Sequence, residues 1–315
     1  MAESQRNRWA HPSVILVATD LSDLDRLMPF AIEQAATAGA RLILLHVIST
    51  GEAIASDAAG MPYYDPAGAL DHAASILENC CEIARKRNIG CDHMVREGNA
   101  AQQVLAATRQ FHADRILLGT RSRSKVSKLL IGSVAEQVLR SVNIPVITVG
   151  PEAHLPVASS EPERVILHAT TLRETSRPSA VLASQIAASL HARLVLLHVL
   201  PPRIEMERKG LPTGLDSAAM QDLQALSSLT LGECEIPVEP LVVHGNASIE
   251  ILAESSARSA RLIVLGATHR SAFENLTRDR TIYTVLAHAR CPVMTLREPQ
   301  LGDEFGVHSR LAAHA

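Results

Sequence analysis

No apolar run in this sequence approaches the ~20 residues that a membrane-spanning helix needs, and the first dozen residues, MAESQRNRWAHP, are polar. A cytoplasmic location without a membrane partner is expected. Nor is there an excess of positive charge. The 30 Lys and Arg against 33 Asp and Glu leave a formal net charge of -3, which argues against a general nucleic-acid binder. Cys80, Cys81, Cys91, Cys234 and Cys291 form an odd set without a C-x-x-C pair, so neither a disulfide framework nor a zinc site is suggested. Thiols packed in cores are the expectation. Neither Walker A nor G-x-G-x-x-G occurs, which counts against P-loop hydrolysis and NAD chemistry.

What is present is a repeat. RLILLHVI at 41–48 returns as RLVLLHVL at 193–200, identical at six of eight positions, and SVILVATDLS at 13–22 returns as RVILHATTLR at 164–173. Further on, VREGNA (95–100) matches VVHGNA (242–247), DRILLGT (114–120) matches RLIVLGA (261–267), and NIPVITV (143–149) matches RCPVMTL (290–296). The offset falls from 151 or 152 to 147, which places a shortening in the middle of the second copy. There, 49–75 and 201–217 are rich in Gly, Pro and Ala and read as variable loops. The 315 residues, 47% hydrophobic and 20% charged, suffice for two globular domains with a core each. The expected division is 1–150, a Pro-bearing polar linker at 151–163, a second domain at 164–298 and a polar tail at 299–315.

Within each copy, short Val/Ile/Leu runs alternate with stretches of helical period, which indicates a parallel sheet covered on both faces. Strands are expected at 14–19, 41–47, 92–96, 114–119 and 145–149, and helices near 23–38, 69–88, 100–111 and 133–142. The second copy repeats the strands near 165–170, 193–199, 238–243, 261–266 and 292–296. The fold class is therefore α/β: two tandem doubly wound domains, each a five-stranded parallel sheet of order 3-2-1-4-5 with helices on both faces. In that order the first and fourth strands flank the switch point, and their carboxyl ends carry Asp20 and Gly119. Ligands of such sheets bind there.

Residues 119–133, GTRSRSKVSKLLIGS, follow the fourth strand and precede a helix. Glycine allows backbone N–H groups close to a ligand, and a helix beginning at Ser133 aims free N–H groups and a positive dipole end at an anion. Arg121, Arg123, Lys125 and Lys128 add cations. Ser133 with Glu136 reads as a capping box. The bland alternative is a solvated basic loop.

With its flanking VATDLS, LLHVI, SVAEQVLR and IPVITV, this stretch resembles the universal stress protein family. Nucleotide-binding members of that family carry Gly, two residues, Gly, nine residues, then Gly and Ser or Thr. Here Gly119 fits the first position, Ser122 stands at the second, and Gly132 with Ser133 close the motif after nine residues. The resemblance implies ATP, or another adenine nucleotide, with or without Mg²⁺. Asp20 and Val47 would lie near adenine and ribose, while Gly119, Gly132, Ser133 and the backbone of Val134 would hold ribose and phosphates. Ser122 can donate a hydrogen bond to a phosphate oxygen but resists positive φ, so weakened binding is expected. In the second copy Gly266 survives, while Thr171, Asp279 and Arg280 align with Asp20, Gly132 and Ser133. A carboxylate at the glycine position opposes a polyphosphate. That copy is expected to be a structural or regulatory half.

Three function classes follow: a nucleotide-dependent stress-response sensor or regulator with an unknown protein partner, a slow ATPase or phosphotransferase using Asp20 and Mg²⁺, and a nucleotide-free interaction module. No catalytic residue and no metal ligand is assigned. His46 and His198, at equivalent strand ends, read as buried hydrogen-bonded histidines. Asp20, Asp23 and Asp25 could form a cation site or serve helix capping, with only Asp20 supported by topology. The segment SKVSK (124–128) lacks the H-x-G-H or S-G-G-x-D-S partner of adenylate-forming synthetases. The fifth strands, IPVITV and CPVMTL, are apolar edges that invite pairing, so an intramolecular pseudo-dimer is expected. The resemblance also admits a homodimer.

Overall fold

The computed structural model describes residues 8–48, 54–56, 62–120, 131–153, 164–173, 176–210, 214–231, 236–268 and 280–298. The first half runs β1 (Val14–Thr19), α1 (Leu24–Ala38), β2 (Arg41–Ile48), β3 (Ile54–Ser56), β4 (Pro62–Tyr64), α2 (Pro66–Arg85), β5 (Cys91–Glu97), α3 (Ala100–Gln110), β6 (Arg115–Gly119), α4 (Ser133–Ser141) and β7 (Val146–Val149). The second runs β8 (Arg164–Ala169), α5 (Arg177–Ser189), β9 (Ala192–Leu200), α6 (Arg203–Arg208), α7 (Leu215–Leu231), β10 (Val238–His244), α8 (Ala247–Ala257), β11 (Leu262–Thr268), α9 (Arg280–His288) and β12 (Val293–Glu298).

A single ten-stranded sheet crosses both halves in the order β10-β9-β8-β11-β12-β7-β6-β1-β2-β5. Neighbours are parallel except at the centre, where β7 and β12 run antiparallel with Ile147 opposite Met294. The two fifth strands thus cover each other's edges. Thr148 donates to the Val293 carbonyl and Thr295 to the Val146 carbonyl, one contact on each side of the seam.

Alternation along the strands builds two cores, one per face. Ile15, Leu44, Ile147, Leu196 and Met294 join one, beneath α1, α2 and α5. Leu16, Ile43, Val146, Leu197 and Val293 join the other, beneath α3, α4 and α9. Each core draws on both halves, because the seam strands present side chains to both faces. Ile147 and Met294 are fully buried, and burial of each side chain stabilises by about 2 kcal/mol. Across the halves Arg261 also pairs with Glu33.

Two expectations from the sequence are corrected. The stretches 49–75 and 201–217 are not loops throughout: β3 and β4 pair as a hairpin, α2 starts at Pro66, and α6 and the start of α7 fall in the second stretch. Asp65 starts α2 by accepting the Gly68 N–H at 2.9 Å, with proline in the first turn, where its missing N–H costs nothing. The capping box is also absent. Gly132, not Ser133, is the N-cap of α4, without a side-chain cap bond, and Glu136 turns along the helix to Arg140 at 2.6 Å. No helix among the described residues is long and apolar enough to cross a membrane.

Candidate functional site

At the carboxyl ends of β1 and β6 a cleft of about 850 Å³, open mouth included, is lined by Asp20, Val47, Gly119, Gly132, Ser133 and Val134. Six of the seven residues singled out in the sequence therefore share one site. The seventh, Ser122, lies outside the described residues, as do Arg121, Arg123, Lys125 and Lys128.

The turn after β1 sets the near wall. Leu21 takes a left-handed φ of 67°, and its N–H is held by the Thr19 hydroxyl at 2.9 Å. Asp20 then directs Oδ1 to the amide and hydroxyl of Ser22, at 2.9 and 2.6 Å. Its Oδ2 is buried and has no hydrogen-bond partner among the described residues. Thr120 also lines the cleft, but its own Oγ1, unpartnered among the described residues, lies beside Gly150, 3.9 Å from where a Cβ there would stand. An orphaned oxygen such as Asp20 Oδ2 is the mark of a group awaiting a partner, since buried polar atoms are otherwise satisfied.

The far wall is the start of α4. The Gly132 N–H bonds the Thr120 carbonyl at 2.7 Å, which closes the chain between them and sets the helix entrance against the end of β6. The first N–H groups of a helix have no intrahelical acceptor, so this entrance offers donors and a partial positive charge.

Gly119 lines the cleft and also leaves room for a neighbouring side chain. A Cβ there would come within 2.1 Å of Asp23 Oδ2. The Asp23 side chain fills that space and accepts from the Thr19 hydroxyl at 2.6 Å instead of capping α1. It is 4% exposed, and burial pushes its carboxyl up to about 6, with Asp20 adding to the rise and the Thr19 hydrogen bond opposing it. Asp23 is thus a cleft residue that the sequence offered only as a capping or cation-site candidate, three places from Asp20. Asp25 is exposed and does not line the cleft, so the three aspartates form no joint site. Thr19, Thr120 and the apolar floor of Ala18, Leu45 and Val104 had no signal beyond their places at strand and helix ends.

His46 and His198 each turn Nδ1 to the carbonyl at the end of the first strand of their half, Thr19 at 3.0 Å and Thr170 at 2.9 Å. They tie the second strand to the turn.

The sequence model of the Universal stress protein family matches residues 13–150 and again 163–297. A universal stress protein of Mycobacterium tuberculosis is 25% identical over 283 residues, 84% of this chain and 90% of that protein. The crystal structure of a universal stress protein from Archaeoglobus fulgidus superposes with a TM-score of 0.67 at 20% identity, covering 90% of this chain and 98% of that one. Another structure from that organism, a universal stress protein in complex with dAMP, covers 44% of this chain and 98% of its own, with 20% identity and a TM-score of 0.33.

Proposed function

The chain belongs to the universal stress protein family through both of its halves, and from that premise we propose that its first half binds ATP in the cleft between β1 and β6 and acts as a nucleotide-dependent stress-response sensor or regulator. The observation that carries this reading is the presence in one cleft of Asp20, whose Oδ2 is buried and unsatisfied among the described residues, and of the open N-terminus of α4. Asp20 and Val47 take the adenosine end. Gly132, Ser133 and the Val134 backbone take the phosphates, where helix N–H groups favour an anion. Gly119 joins them at the ribose and phosphates and also leaves room for Asp23, and Ser122 is assigned to the phosphate loop.

The halves divide the work as 1–150 and 164–298, with 151–163 as linker and 299–315 as tail. The second half supports the first through the common sheet, and occupancy is read by a protein partner. Calorimetric titration of the full chain with ATP tests this: one site per chain is expected, strongly weakened in Gly132→Asp. Unchanged affinity in that variant would sink the assignment. The unsatisfied Asp20 oxygen also suits a Mg²⁺ ion, which supports a second reading as a slow ATPase. Phosphate release under single-turnover conditions, abolished by Asp20→Asn, separates that activity from binding alone. Protein that neither retains nucleotide on purification nor binds ATP would instead be an interaction module.

A further inference from the structure

At the other end of β2 from the cleft, α2 packs on the edge strand β5, where three metal-ligand side chains meet and a fourth, Cys91, touches one of them. Glu78 and Cys81, three apart, share a face of the helix, and Cys91 and His93, two apart, share a face of the strand. The Cys81 and Cys91 sulfurs are 2.7 Å apart, and His93 Nδ1 lies 3.1 Å from Glu78 Oε2. Ligand atoms of Glu78, Cys81 and His93 all lie within 4.8 Å of one another. We propose that Glu78, Cys81, Cys91 and His93 form a zinc site that clamps α2 to the sheet edge.

The chemistry of the donors selects the ion. Two sulfurs, one imidazole and one carboxylate complete the tetrahedral set that Zn²⁺ prefers, and thiolates disfavour Mg²⁺ and Ca²⁺. Charge is balanced as well. Two thiolates and one carboxylate around Zn²⁺ leave one negative charge, and Arg85 stands beside them. It donates to Glu78 Oε1 at 2.7 Å, which leaves Oε2 facing His93, and to the Cys91 carbonyl through Nε and a terminal nitrogen at 3.1 and 2.7 Å. Metal entry replaces two S–H bonds with two Zn–S bonds and releases two protons to solvent. The sulfurs must then part by about 1 Å, given Zn–S bonds of about 2.3 Å at tetrahedral angles. Cys91 must also swing toward the group of Glu78, Cys81 and His93, which its sulfur does not join as it stands.

Access is one-sided. Both thiols are buried, whereas the Glu78 side chain is 42% and the His93 side chain 26% exposed, so an ion reaches the sulfurs past these two. The second half has no counterpart: Val238 and Pro240 stand where the repeat places Cys91 and His93. The signal was hidden from sequence reading because the ligands come as two pairs on different elements, not as a C-x-x-C knuckle.

The test uses the full chain, purified under reductant and stripped with a chelator. Titration with Zn²⁺ against a chromophoric chelator should give one ion per chain, and Co²⁺ should give thiolate charge-transfer bands in the near ultraviolet. His93→Ala, on the partly exposed edge strand, should weaken binding at least about tenfold with both thiols kept, and Cys91→Ser should remove the charge-transfer intensity of one thiolate. Cys80→Ser should change neither. Zinc binding no stronger than in a Cys81→Ser/Cys91→Ser chain would overturn the proposal. So would recovery of the stripped chain two hydrogens lighter with both thiols consumed, insensitive to His93→Ala, because the pair would then be a disulfide.

Discussion

The turn after the opening strand occurs twice in this molecule, and the two copies keep the backbone while exchanging the chemistry. Leu21 and Leu172 both take left-handed φ, 67° and 58°, and both are held by the hydroxyl of the threonine two residues earlier, at 2.9 and 3.1 Å. A histidine on the next strand braces each turn from the same side. Yet the first turn presents Asp20 with a buried oxygen that has no partner among the described residues, whereas the second presents Thr171, whose hydroxyl is engaged by Ser176 at 2.9 Å. The turn is therefore a scaffold that persists without a ligand group on it. Left-handed leucine is strained wherever it occurs, so the brace around it accounts for its retention in both copies better than any ligand does.

Among the buried titratable groups of the described residues, an acid of the first half and a base of the second respond to pH in opposite ways. The first buries an acid, Asp23, held up to about 6 mainly by its loss of water. The second buries a base, His168, at the place of Val17; burial pulls its imidazole down to about 4, against a hydrogen bond to the Val264 carbonyl. The two act in opposite directions on stability. Asp23 is favoured when protonated, so its cost appears as pH rises from about 4 to 6. His168 is favoured when neutral, so its cost appears as pH falls from about 6.5 to 4.

The seam offers the severest way to break the comparison. Ile147→Asp puts an unpaired carboxylate between the halves and should cost about 5 kcal/mol or more. Because each core crosses the seam, chemical denaturation should show both halves losing structure together. Survival of one folded half would show that the copies are independent after all.

Changing the buried groups has the next largest effect. Replacing His168 with Val, the first-half residue, should flatten the loss of stability between pH 6.5 and 4, a difference of about 3 kcal/mol at the acid end, read from urea midpoints across pH. Asp23→Asn keeps an acceptor for Thr19 and removes the ionised form. It should stabilise the chain at pH 7 by up to about 3 kcal/mol, and a destabilised variant would show that the carboxylate is favoured where it sits.

Gly132→Asp, which gives the first half the residue of the second, should weaken ATP binding about 100-fold by calorimetry, from a like charge set against phosphate. The mildest change is Glu33→Gln, which unpairs Arg261 across the halves. A partly exposed pair of this kind contributes about 1 kcal/mol or less, so only a small shift in thermal midpoint is expected.

Much of this was legible in the chain itself. Val/Ile/Leu runs gave the strands of the ten-stranded sheet to within a residue or two, since a half-buried strand must alternate and a buried parallel one must be apolar on both faces. The repeat disclosed the two halves, the switch-point rule pointed to Asp20 and Gly119, and the family resemblance added Val47, Gly132, Ser133 and Val134, all of which line one cleft. Local chemistry misled where side chains had a distant competitor. Ser133 and Glu136 spell a capping box, but Glu136 found Arg140, and Asp23 spells a helix cap, but its carboxyl found Thr19 and the space over Gly119.

Sequence by itself determined the fold class, the duplication and the place of the cleft, because periodicity and strand order depend on local pattern and chain connectivity. Tertiary structure alone decided the continuous sheet with its shared cores, the room that Gly119 leaves for Asp23, the opposed burial of Asp23 and His168, and the meeting of Cys81 with Cys91 and of Glu78 with His93. Each of these rests on atoms brought into contact by packing, and desolvation and close approach have no signature in the order of residues.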